Sequence, residues 1–117
     1  MDAWIAEHAE RIAAGAPERL RTLVDISSPS GDIPGAEAAV AAAITLLPDG
    51  AEVERVPCSS PEHADDLVAH VRGTGERRIV LVGHLDTVVQ HAEHRPLAED
   101  GDRLVGSGTS DMKGGDV

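Results

Sequence analysis

The apolar residues along the chain follow a helical period first and an extended period later. Apolar residues recur at helical spacing from residue 2 to about residue 14, and Gly15 is expected to end that helix. Pro17 suits the first turn of a second helix, which is predicted to run to Val24. A third helix, rich in alanine, is predicted from Gly35 to Leu47. The N-terminal half of the chain is therefore predicted to be mainly helical.

Extended segments follow in the second half. Ala51 to Pro57 and Leu67 to Arg72 alternate apolar and polar residues, which predicts two strands. Four consecutive apolar residues within Arg78 to Val82 predict a strand that is buried on both faces. A short glycine-containing turn separates it from Leu67–Arg72, so these two strands are predicted to form an antiparallel hairpin. Arg103–Val105 is a further short strand, and the predicted class is α/β, with helices flanking a central sheet.

Composition limits the partners of this chain. Its residues are 41% hydrophobic with one Trp, no Phe and no Tyr, so the core is expected to be built from Val, Leu, Ile and Ala. The formal net charge of -11 argues against binding to nucleic acid or to an anionic membrane. The single cysteine, Cys58, excludes an internal disulfide and is compatible with a reducing compartment. With no signal peptide and no apolar run long enough to span a bilayer, a cytoplasmic location is expected.

Two ionisable residues, His84 and Asp86, stand where the predicted buried strand ends. Side chains two apart on a strand share a face, so the imidazole and the carboxylate are expected to lie side by side. A metal-ligating histidine is commonly held by a carboxylate in this way. Asp111 follows 27 residues after His84 on a glycine-rich segment, and its two oxygens could bridge two cations. By spacing alone, a purely structural His84–Asp86 pair is an equally good interpretation.

Other chemistries fit the sequence less well. The glycines around Ser107 match neither the Walker pattern nor the dinucleotide fingerprint, and Asp111 would repel a phosphate there. No Gly-x-Ser-x-Gly motif is present, which argues against a serine hydrolase elbow. Cys58 has no base or metal ligand nearby in sequence and is interpreted as an inert thiol. Four further histidines are interpreted as structural or surface residues: His8, His70, His91 and His94.

Two longer motifs indicate a protein family, which the spacing of single residues does not. Gly83–Val88 (Gly-His-Leu-Asp-Thr-Val), followed by Asp100–Gly115, resembles the two-zinc family that includes acetylornithine deacetylase, succinyl-diaminopimelate desuccinylase, aminoacylase and glutamate carboxypeptidase. The Ser28–Gly31 turn agrees with the same family. The resemblance implies that residues 1–117 are the N-terminal portion of a zinc-dependent catalytic domain, part of a mixed α/β/α sandwich. The remainder of that domain and a dimerisation or lid domain are then expected beyond Val117.

The resemblance also implies roles for individual residues. His84 would ligate one zinc, Asp111 would bridge both, and Asp86 would orient the His84 ring, with a cis peptide after Asp111. Cobalt or manganese could substitute for the two zinc ions. The implied reaction is hydrolysis of an amide bond in an N-acyl amino acid or small peptide, by a parent protein that dimerises through the absent domain.

Some features depart from the family pattern. Many members carry an aromatic-containing segment where this chain has His94–Leu97, and many have Arg at the position of Ser107. The family's general-base Glu and its other ligands have no counterpart within residues 1–117, so the isolated chain is predicted to be inactive. The alternative function is a non-catalytic α/β binding module in which His84 and Asp86 only hold a loop together.

Overall fold

Two α-helices are the longest elements of the computed structural model, which describes residues 1–117. Helix α1 spans Ala3–Val24, and the carboxylate of Asp2 accepts a hydrogen bond from the Trp4 backbone N–H at 2.8 Å. Helix α2 spans Ile33–Leu46, and Asp32 accepts in the same way from the Gly35 N–H at 2.7 Å. Both caps pair an otherwise unsatisfied N–H and place negative charge at the positive end of the helix.

Helix α1 is continuous where two helices were predicted. Gly15 and Pro17 lie inside it, so the prediction that Gly15 ends a helix was wrong. A proline removes one N–H and crowds the preceding turn, but it does not stop a helix whose later turns are held by packing. Here Leu20, Leu23 and Val24 are buried and anchor the segment after Pro17.

The strands form two separate antiparallel hairpins. Strand β1, Glu52–Val56, pairs with β2, Asp66–His70, and the register sets Glu52 opposite His70. Strand β3, Ala98–Asp100, pairs with β4, Arg103–Val105. The helices and the two antiparallel hairpins confirm the predicted α/β class and three of the predicted strands.

The segment Arg78–Val82 is not a buried strand, and the predicted hairpin between it and Leu67–Arg72 was wrong. It belongs to no ladder, and β2 pairs with β1 instead. The side chains of Ile79 and Leu81 are 85% and 91% exposed. An apolar run favours burial, but it supplies neither the neighbouring strands nor the covering layer that burial needs. Within residues 1–117 no element covers this segment.

The core lies between the C-terminal half of α1 and the segment that leads into β3. Leu20, Val24 and Leu97 form one buried cluster, with Leu104 and Val117 packed against it. Leu23, Ala39 and Val40 are buried as well. The predicted aliphatic core is confirmed. Neither α1 nor α2 combines the length and the hydropathy that a membrane-spanning helix requires.

Candidate metal centre

The imidazole of His84 lies between two carboxylates. Its Nε2 atom is 3.0 Å from Oδ1 of Asp111, although 27 residues separate the two in sequence. Its Nδ1 atom is 3.0 Å from the backbone carbonyl oxygen of Asp86 and 3.2 Å from Oδ1 of the same residue. The three side chains named from the sequence therefore meet at one place, with Asp86 and Asp111 on opposite ring nitrogens.

A loop after α1 holds Asp86 in position. The N–H of Ser30 donates to the Thr87 carbonyl at 2.8 Å, and the N–H of Thr87 donates to the Ser28 carbonyl at 2.9 Å. The Ser30 hydroxyl donates to Oδ2 of Asp86 at 2.5 Å, and the Ser28 hydroxyl donates to the Leu85 carbonyl at 2.7 Å. The Ser28–Gly31 turn noted in the sequence is thus the support for the His84–Asp86 segment.

Asp111 lies in a tight turn formed by Thr109–Lys113, named here the Asp111 turn. Gly108, with φ of 80°, precedes it, and the Lys113 N–H closes it by donating to the Gly108 carbonyl at 2.9 Å. The peptide between Asp111 and Met112 is cis, as the resemblance implied. Asp111 and Met112 have non-helical backbone angles, so no regular helix begins at Asp111.

Hydrogen bonds control the charge state of the centre. The bond from the ring to the Asp86 backbone carbonyl is the main cause that raises the pKa of His84, and the Asp111 and Asp86 carboxylates act in the same direction against burial. The Ser30 hydroxyl is the main cause that lowers the pKa of Asp86, and His84 adds to it. These hydrogen bonds therefore stabilise the charged form of the His84 imidazole and of the Asp86 carboxylate.

Two residues of the centre were missed by sequence reasoning. Lys113 is fully buried, and Asp116 has its Oδ2 atom buried without a hydrogen-bond partner. Burial is the main cause that lowers the pKa of Lys113, and it raises the pKa of Asp116. Asp116 lies so close to Gly83 that a side chain at position 83 would overlap its carboxylate. The position of Lys113, two residues after Asp111, was the one sequence feature that could have drawn attention to it, but its burial depends on tertiary contacts.

The donors present fit part of a zinc site. Zinc binds imidazole nitrogen and carboxylate oxygen at about 2.0–2.2 Å, so two ligands of one tetrahedral ion lie about 3.3 Å apart. The His84 and Asp111 donor atoms are 3.0 Å apart, which a small movement would convert to that spacing. The Asp111 side chain is 84% exposed and open to an incoming ion. However, no group of three or more His, Cys, Asp or Glu side chains is arranged to hold a metal.

The remaining candidates lie away from this centre. His91 is on the surface, as predicted, but it also joins two loops: Nδ1 is 2.7 Å from the Ser27 hydroxyl, and Nε2 is 3.1 Å from Asp32. His8 stacks on Trp4 with ring centroids 4.0 Å apart. Cys58 is a free, half-buried thiol. An open cleft of about 1450 Å³ between α2, β2 and residues 78–86 reaches His84 and Asp86.

Comparison with known proteins points to a hydrolase. Carboxypeptidase G2 from Pseudomonas sp. (strain RS-16) is 31% identical to this chain over 103 residues. The match covers 84% of the chain but 24% of that protein, so the chain spans about a quarter of the relative's length. No family model matches the chain. The similarity supports a relationship to a peptidase, and it leaves the two-zinc assignment a prediction.

Proposed function

We propose that this chain is part of a metal-dependent hydrolase that cleaves an amide bond in an N-acyl amino acid or a small peptide. The single observation that carries the proposal is the approach of His84 Nε2 to Asp111 Oδ1 at 3.0 Å. The similarity to a carboxypeptidase over most of the chain supports the same class of reaction. Residues 1–117 would then be the N-terminal portion of a catalytic domain.

In this proposal His84 and Asp111 hold the metals, and Asp86 orients the ring. Asp86 faces Nδ1, which leaves Nε2 as the donor nitrogen on the side of Asp111. Asp111 has a second oxygen that could reach a second cation. Bound divalent zinc, or cobalt or manganese in its place, supplies Lewis acidity toward the scissile carbonyl and acidifies a water molecule.

The chain does not hold a complete set of catalytic groups. A catalytic zinc usually has three protein ligands, and here His84 and Asp111 provide two donor side chains. The match covers only about a quarter of the relative. We propose that the parent protein also has a region corresponding to the rest of it. That region would supply the other ligands, the base that accepts the proton from water and a dimerisation domain. The 117-residue chain is accordingly expected to hydrolyse N-acyl amino acids no faster than its His84→Ala variant.

A second candidate is a non-catalytic binding module. It is favoured by the pairing of both His84 ring nitrogens within the chain, which would hold the Asp86 and Asp111 segments together without a metal. The two functions differ in what a cation does. In the hydrolase, His84 and Asp111 would hold a divalent cation, whereas the binding module would hold none.

Calorimetric titration with zinc or cobalt separates the two. The hydrolase predicts binding that weakens by at least about tenfold in both His84→Ala and Asp111→Ala, since each removes one of two donors. The matched control is His70→Ala, because His70 is also an exposed histidine beside a carboxylate, at 3.6 Å from Glu54. An affinity for zinc or cobalt that is unchanged in His84→Ala and Asp111→Ala, or that falls equally in His70→Ala, would count against the metal site.

A further inference from the structure

Lys113 connects the Asp111 turn to the end of helix α1. It is the only lysine in the chain and is fully buried. Its Nζ atom donates to the carbonyl oxygen of Leu23 at 3.0 Å and to that of Ile26 at 2.7 Å. Leu23 lies in the last turn of α1, where the backbone carbonyls carry partial negative charge, and Ile26 lies two residues beyond the end of the helix, so an ammonium group is well placed there.

Those carbonyls lie at the start of the loop that supports the other half of the centre. From Ile26 the chain runs directly to Ser28 and Ser30, which bind Leu85, Asp86 and Thr87. One ammonium group is therefore bonded to the loop that positions His84 and lies two residues from Asp111. It fixes the two halves of the centre relative to each other.

We propose that Lys113 is a positioning residue that holds Asp111 against His84 by binding the carbonyl oxygens of Leu23, in the last turn of α1, and of Ile26, two residues after its end. The contact between His84 and Asp111 needs no metal, so this role can be measured directly. Only the meaning of the contact as a pair of metal ligands rests on the proposed function.

General stabilisation of the fold is the competing explanation, and the chain offers a matched control. Arg21 lies on the same end of α1, and its Nη1 atom donates to the Leu97 carbonyl at 2.9 Å. Like Lys113, Arg21 is a cation that donates to a backbone carbonyl near the C-terminal end of α1. Unlike Lys113, it contacts the segment before β3 and not the Asp111 turn. Loss of Arg21 should lower stability without separating Asp111 from His84.

Cross-linking tests the role. In a Cys58→Ser background, His84→Cys and Asp111→Cys place two thiols at the contact, and a bifunctional thiol reagent with a short spacer joins them. Adding Lys113→Met should slow cross-linking by at least about tenfold, because effective concentration falls when two groups are no longer held together. Adding Lys113→Arg should restore part of the rate, and Arg21→Met should leave it unchanged, each measured where circular dichroism shows a folded chain.

Two results would overturn the proposal: an unchanged rate with Lys113→Met, or equal slowing with Arg21→Met. Should Lys113→Met fail to fold, acylation of the unmutated chain gives a second measurement. Because Lys113 is the only lysine, its side-chain amine should react at least about a hundredfold more slowly than the N-terminal amine, and equal reactivity would refute burial at the carbonyls. Failure of zinc binding with a positive cross-linking result would reject the proposed function alone.

Discussion

Replacing Gly108 by alanine tests how closely the Asp111 turn must approach Thr87. Gly108 has φ of 80°, a left-handed conformation that L-residues rarely adopt. A Cβ atom added there would lie 2.8 Å from Cγ2 of Thr87 and 3.4 Å from Cδ of Lys113. Thr87 is itself 5% exposed and held by backbone hydrogen bonds to Ser28 and Ser30, so it has little room to move.

Gly50 is the matched control for backbone conformation. Its φ is 81°, nearly identical to that of Gly108, but a Cβ atom there would meet nothing within 4 Å. Gly50→Ala therefore measures the cost of the left-handed conformation alone. Any additional loss in Gly108→Ala measures the steric overlap with Thr87 and Lys113.

The magnitudes follow from these contacts. An alanine in the left-handed region costs about 1–2 kcal/mol, and reduced freedom of the unfolded chain offsets about 0.4–1 kcal/mol of that. Gly50→Ala should thus lower the free energy of unfolding by about 1 kcal/mol. Overpacking a filled site adds about 1–3 kcal/mol, which gives a loss of about 2–4 kcal/mol for Gly108→Ala.

Urea denaturation followed by far-UV circular dichroism measures both losses, since the helices α1 and α2 dominate that signal. The two variants should share the slope of the parent and differ in midpoint. Equal losses for Gly108→Ala and Gly50→Ala would refute the reasoning, because they would show that the Asp111 turn does not press against Thr87.

Two further predictions concern pH. Ser30→Ala removes the main cause that lowers the pKa of Asp86, whose side chain is 45% exposed, and should cost about 1 kcal/mol at neutral pH. That difference should vanish as pH falls through the lowered folded-state pKa of Asp86, and a loss in urea midpoint that persists in strong acid would contradict it. Because the pKa of His84 is raised in the folded chain, protonation of His84 stabilises the fold. This stabilisation is fully present at pH values below the ordinary pKa of 6.5, and it is lost as the pH rises through the folded-state pKa. An NMR titration should show His84 protonating at higher pH than in Asp111→Ala; identical titrations would show that the pair does not form in solution.

Local patterns in the sequence predicted the elements that depend on neighbouring residues. The alanine-rich helix α2 and the strands β1, β2 and β4 each follow from residues within one short segment. The predictions failed where residues distant in sequence determine whether an element forms. The segment Ile79–Val82 has the composition of a buried strand, yet its pairing depends on strands and layers that no local pattern describes.

The candidate centre shows the same division. Asp86 lies beside His84 as predicted, because the two residues are only two apart, although the segment that holds them belongs to no strand ladder. The contact between Asp111 and His84 could not be derived from their spacing in the sequence. It was predicted only from the resemblance of the two motifs to a known family. The burial of Lys113 could not be predicted from the sequence, because a lysine in a glycine-rich loop segment is ordinarily a solvent-exposed side chain.

The sequence by itself determined which side chains are available: one imidazole and two carboxylates in short motifs, an aliphatic set of core residues, and glycines that permit tight turns. Only the tertiary structure decided that His84 and Asp111 meet, and that an ammonium group is buried against the carbonyls of Leu23 and Ile26 at the end of α1 and just after it. The physical reason is that periodicity reports which face of an element is apolar. The meeting of two elements is instead set by long-range packing and hydrogen bonds, such as those between Ser28, Ser30 and Thr87.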